Sequence, residues 1–109
     1  MQEQIKLILS EELHNKAVEL IKVSEAYAVS KDFKRADEFA EKALNLAPEW
    51  PPALIYAGRR AMSGKDYAKA EKYFVQALMV EPGNAEAKDL LSQVRLALSA
   101  NPPKTTTDL

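Results

Sequence analysis

Cysteine is absent from the 109 residues, and histidine and tryptophan occur once each. Without thiols there can be no disulfide, no thiolate nucleophile and no cysteine-based zinc site. The lack fits a reducing compartment, so a cytoplasmic location is expected. No run of about eighteen apolar residues occurs, so nothing should insert in a membrane. The opening MQEQIKLILSEEL sets a short apolar patch between polar and acidic flanks, unlike a secretory signal. An excess of charge of one sign is also missing. Fifteen Lys and Arg against sixteen Asp and Glu leave a formal charge of -1, and the two signs are interspersed. A basic footprint for nucleic acid is therefore not expected. Glycine-rich phosphate loops, nucleophile elbows and paired histidine–carboxylate sites do not occur. The single histidine, His14, has Glu11 and Glu12 beside it but no second ligand cluster, so it is expected at the surface rather than on a metal. No catalytic residue, cofactor or metal is expected.

What is present is mostly helix former. Apolar residues make up 47% and charged ones 28%, an ordinary balance for a soluble globular chain. From Asp32 to Leu46 the residues Phe33, Ala36, Phe39, Ala40, Ala43, Leu44 and Leu46 keep a helical stripe. APEWPP interrupts it, and a helix from about Pro51 to Met62 follows, with proline tolerated in a first turn whose amides have no intrahelical acceptor. Asp66 can cap a helix running to about Val80, and Asn84 can cap a last one from Ala85 to about Ser99. NPPKTTTDL should be a mobile tail. Its final Thr107-Asp108-Leu109 also fits the carboxy-terminal pattern that PDZ domains take up by strand addition, a three-residue match that chance often supplies.

Two stretches say nearly the same thing. SKDFKRADEFAEKALNLAP, residues 30–48, aligns with GKDYAKAEKYFVQALMVEP, residues 64–82, at a constant offset of 34. Ala36 meets Ala70, Ala43 meets Ala77 and Pro48 meets Pro82. Paired helices at this period, with small residues at Ser24 and Gly58 and aromatics at Phe33, Tyr67 and Phe74, resemble the tetratricopeptide-repeat family. The resemblance covers roughly residues 17 to 100 and departs from the family at Ala40 and Ala57, where larger residues are usual. It implies an all-α fold: a short α-solenoid of antiparallel helix pairs with two full repeats, a C-terminal capping helix and an N-terminal helical extension. The expected units are an extension over 1–16, repeats over 17–50 and 51–84, a capping helix over 85–100 and a tail over 101–109.

The resemblance further implies a protein-binding module whose first helices line a concave groove. Carried over position by position, the groove residues are Val18, Ile21, Lys22, Glu25 and Val29, then Ile55, Tyr56, Arg59 and Met62. On the last helix they are Leu90 and Gln93, with Glu86, Asp89 and Leu96. Ile21 and Ile55 can equally be packing residues between helices. Members that clamp the acidic tails of heat-shock chaperones use lysine, arginine and asparagine at five places where this chain has Ile21, Glu25, Tyr56, Glu86 and Leu90. A carboxylate clamp is not expected. The partner would be a peptide or helix of another protein, and the role that of an adaptor or small chaperone.

A different possibility comes from the N-terminus. Between Gln2 and Val29 there is neither proline nor glycine. Ser10 with Glu11-Glu12 could start a helix there and let residues 3–13 fold back as a cap. Without that break, one helix of about 27 residues would run about 40 Å, roughly twice the length of its hairpin partner. Ile5, Ile8, Leu9 and Leu13 would then project and could join a second copy of the chain, making a homodimer or larger assembly.

Overall fold

The computed structural model describes residues 2–100, and the expected tail with Thr107-Asp108-Leu109 lies outside them. Five helices follow one another: α1 (Gln2–Val29), α2 (Phe33–Leu46), α3 (Pro51–Ser63), α4 (Tyr67–Val80) and α5 (Ala85–Ala100). Among the described residues there is no strand. α1 packs on α2 and α3 on α4, while α2 against α3 and α4 against α5 carry the stack onward. The result is elongated, 61 × 33 × 24 Å.

Each hairpin turns the same way. The Asp32 N–H donates to the Tyr27 carbonyl and the Asp66 N–H to the Ala61 carbonyl, both at 2.9 Å. The residues before them, Lys31 and Lys65, take left-handed φ values of 64° and 62°. This is the helix-ending turn in which glycine is usual at the left-handed place. Gly64 sits one residue too early, at φ -87°, so Lys65 bears the strain. Asp32 and Asp66 then cap the following helices through the backbone N–H groups of Arg35 and Lys69.

The two repeats bury different joints. In the second, Phe74 is wholly buried with Leu54, Ala70 and Ala77, and Ala87, Leu91 and Val94 of α5 close over them. Gly58 is the residue that admits the Phe74 ring, because a Cβ there would lie within 2.9 Å of three ring carbons. The corresponding pair 34 residues earlier is Ser24 and Ala40. With the ring gone there is room for a hydroxyl, and Ser24 is fully buried. Its Oγ donates to the Ala36 carbonyl at 2.5 Å and meets the Tyr56 hydroxyl at 2.7 Å. Phe39, next to the small Ala40, stacks on Tyr27 with ring centroids 5.5 Å apart. Around Ala17, Ala43 and Ala47 the first hairpin thus has a thinner apolar centre, partly closed by Leu20, Ile21 and Trp50.

α1 continues unbroken through Ser10. A serine inside a running helix finds no orphan amide to cap, since the amides after it already bond back to carbonyls four residues earlier. The fold-back alternative for residues 3–13 is therefore not what forms. α2 has 14 residues to α1's 28, so the first half of α1 extends past its partner.

Candidate partner-binding groove

Trp50 starts α3 at the place where, one repeat later, Asn84 starts α5. Asn84 caps conventionally, its Oδ1 accepting from the Ala87 N–H at 2.9 Å. An indole cannot do this. Pro51 and Pro52 compensate by having no N–H to satisfy, and the Ala53 and Leu54 amides turn back to the Trp50 carbonyl. The Trp50 ring is thereby left for other contacts. On one side it stacks on His14, centroids 4.4 Å apart and planes 7° apart. On the other it helps wall a cleft between α1, α3 and the start of α5.

That cleft, about 470 Å³, has Ile21 and Ile55 among its apolar residues, with Pro51, Pro52, Tyr56 and Arg59 along α3. Glu81, Asn84 and Glu86 close its far end. Ile55 is only 5% exposed and belongs to the core, while Ile21 is half-buried. Arg59 is ion-paired with Glu86 across α3 and α5. Glu81 Oε1 accepts from Asn84 Nδ2 at 2.9 Å. Burial pushes the Tyr56 phenol above its ordinary pKa, and the Arg60 charge pulls more weakly the other way. A smaller recess of about 260 Å³ continues past Tyr56 and Arg59 to Glu25 and Val29.

The sequence-derived groove residues therefore divide. Ile21, Ile55, Tyr56 and Arg59 meet in the main cleft, and Glu25 and Val29 in the recess beside it. Met62 and Leu90 are partly buried against the α3–α5 core. Val18 is half-buried, Lys22 and Gln93 are exposed, and none of the three lines either hollow. Residues that the sequence reading did not place in the groove are Trp50, Pro51, Pro52, Glu81 and Asn84. The pair of prolines was a usable signal, since it strips the amides from a helix start and leaves its preceding side chain free of capping.

A separate hollow lies along the N-terminal half of α1. About 560 Å³ in volume, it is lined by Leu9, Leu13, Leu46, Pro48, Trp50 and Val80, among others. Ile5, Ile8 and Leu9 are each more than half exposed, and Leu13 is 40% exposed. His14, expected at the surface, is instead half-buried under the Trp50 ring. No group of three or more potential metal-binding side chains occurs among the described residues. None of the described helices is long and apolar enough to cross a membrane.

No protein-family model matches the chain. It is 32% identical over 73 residues to the Hsp70-Hsp90 organising protein of Plasmodium falciparum, covering 67% of this chain and 29% of that protein. A DnaJ homolog subfamily C member 7 homolog of Schizosaccharomyces pombe is 33% identical over 72 residues, 66% of this chain and 15% of that one. The match thus spans less than a third of either relative. Among solved structures, the first TPR of Spaghetti (RPAP3) bound to the HSP90 peptide SRMEEVD superposes with a TM-score of 0.68 at 25% identity, over 76% of this chain and 66% of that one. These matches, with the 34-residue spacing of its own helix pairs, give the chain the tetratricopeptide-repeat fold.

Proposed function

We propose that the chain is a non-catalytic protein-interaction module that holds a peptide or helix of a partner in the cleft between α1, α3 and α5. One observation carries this reading: the cleft combines an apolar floor at Ile21 and Ile55 with an aromatic and proline wall at Trp50, Pro51 and Pro52. Aromatic and aliphatic anchors in a concave site are what interfaces use for affinity. The neighbouring structure with its bound HSP90 peptide supports a peptide ligand for this fold. The role is that of an adaptor or small chaperone.

The lack of cysteine supplies a clean test. Pro52 is exposed at the cleft wall, so Pro52→Cys gives the chain a single thiol there. Coupling it to a bulky uncharged maleimide fills the cleft without changing charge. A partner captured from lysate by unlabelled Pro52→Cys and lost by the labelled protein would place binding in the cleft. An identical captured set for both, with helicity unchanged, would refute the reading.

A second reading rests on a different observation, the apolar half of α1 beyond Leu46. Ile5, Leu9 and Leu13 recur four residues apart, hence on one side of the helix, with Ile8 flanking them. Antiparallel pairing of two such overhangs would let each copy's helix continue the line that the other's α2 leaves at Leu46. Light scattering at millimolar concentration should then show a dimer that Leu9→Glu abolishes. A monomer at that concentration would dismiss it.

A further inference from the structure

We infer that the cleft selects a segment bearing a lysine or arginine between apolar residues, and not an acidic one. The inference rests on the cleft being the binding site. Its basis is the balance of hydrogen-bond donors and acceptors around the cleft, together with charge.

Several donors that could hold an anion are engaged. Pro51 and Pro52 have no N–H, and the next two amides of α3 donate to the Trp50 carbonyl. The start of α3 thus cannot serve as an anion site in the way helix N-termini often do. At α5 the Ala87 amide is taken by Asn84 Oδ1 and Asn84 Nδ2 is directed to Glu81; the Ala85 and Glu86 amides remain, but the carboxylates of Glu81 and Glu86 line the same cleft. Ser24 gives its one proton to the Ala36 carbonyl, so in its contact with Tyr56 the phenol must be the donor. Tyr56 then offers the cleft only an oxygen lone pair. Arg59, the one cationic residue lining the cleft, is already paired with Glu86.

Acceptors remain. Glu81 Oε2 has no hydrogen-bond partner among the described residues, and Glu86 keeps lone pairs beyond its bond to Arg59. Glu25 stands in the adjoining recess, while Asp89 on α5 and Lys22 on α1 are exposed and line neither hollow. Arg60 also reaches the recess but is bonded to Asp37 at 2.9 Å. Glu25, Glu81 and Glu86 thus line the cleft and recess against two arginines, Arg59 and Arg60, each already paired with a carboxylate. A cationic side chain brings several N–H donors to such a site, and Trp50 and Tyr56 offer ring faces to its charge. The acidic stretch EEVD, with which the peptide SRMEEVD of the neighbouring structure ends, would bring acceptors to acceptors.

The test is selection from a phage-displayed random dodecapeptide library on immobilised Pro52→Cys protein, unlabelled and maleimide-filled, with the peptide EEVD, which lacks arginine, as a defined second probe. The expected outcome is a set of clones retained only by the unlabelled protein and enriched in lysine or arginine beside apolar residues. Their binding should weaken at least about tenfold on Glu81→Lys/Glu86→Lys and fall with salt, while EEVD shows no cleft-dependent binding. Cleft-dependent clones rich in aspartate and glutamate, or EEVD binding lost on filling the cleft, would overturn the inference and leave the cleft as the site. Clones retained equally by both proteins, or no clones, would count against the cleft itself and so against both.

Discussion

Replacing Gly58 by alanine sets helix propensity directly against packing. Propensity alone favours alanine in a helix interior by about 1 kcal/mol. Against it, the new methyl would lie within 2.9 Å of Cε1, Cζ and Cδ1 of Phe74, a ring with no exposed surface. A fully buried ring has nowhere to swing, so the cost belongs near the upper end of the usual overpacking range, about 3 kcal/mol. The net expectation is a loss of about 2 kcal/mol. For a chain of this size that is a fall in melting temperature of about 10 °C, readable by circular dichroism. The cycle is completed with Phe74→Leu, which removes the ring but keeps an apolar side chain. In that background Gly58→Ala should be neutral or stabilising by up to about 1 kcal/mol, because only propensity remains. A Gly58→Ala protein as stable as the wild type, or one equally destabilised with and without the ring, would refute the account of this joint.

Three further outcomes are open to the same melts. Lys65→Gly relieves a left-handed lysine and should raise stability by about 1 kcal/mol. Gly64→Ala, at an ordinary φ with no atom nearer than 3.7 Å to the new methyl, should be neutral or raise it by up to about 1 kcal/mol through the unfolded chain alone. Ser24→Ala and Tyr56→Phe each remove one end of a shared hydrogen bond, so each should cost about 1 kcal/mol and the double variant clearly less than the sum. The raised pKa of Tyr56 means the unfolded chain gives up that proton first as pH climbs past the ordinary value of 10.0. Its contribution is whole below that pH and lost above it, so wild type should weaken on the alkaline side more steeply than Tyr56→Phe.

Helix starts and stops were legible because each is written in a local residue type. Asp32, Asp66 and Asn84 accept from amides three residues on, and the prolines after Leu46 and Val80 end α2 and α4. The course of α1 was not legible in this way. Ser10-Glu11-Glu12 has the composition of a helix start, yet whether a helix begins there or is already running depends on residues before it. No turn residue interrupts 2–29, and that absence is what prevailed. The left-handed residue of the second turn was similarly hidden, since Gly64 is the obvious candidate and Lys65 the actual one.

In the groove, face arithmetic on the first helices brought Ile21, Ile55, Tyr56 and Arg59 together, and it could do so because helical positions have fixed directions. Loop side chains have no such rule, which is why Trp50, Glu81 and Asn84 were not found. Their partners are also distant in sequence: Trp50 is 36 residues from His14, and Tyr56 is 32 from Ser24. Both pairs sit where the repeats disagree with each other. Ser24 and Ala40 stand in the register of Gly58 and Phe74, and Trp50 in that of Asn84. The repeated residues build identical hairpins, and identical hairpins give every groove the same lining. It is the unmatched residues that give this cleft its own chemistry: a serine that takes the tyrosine's proton, and a tryptophan that gives up capping to form a wall. A sequence comparison between the two copies thus points to the site through its mismatches, while the geometry is needed to show which mismatches face one another.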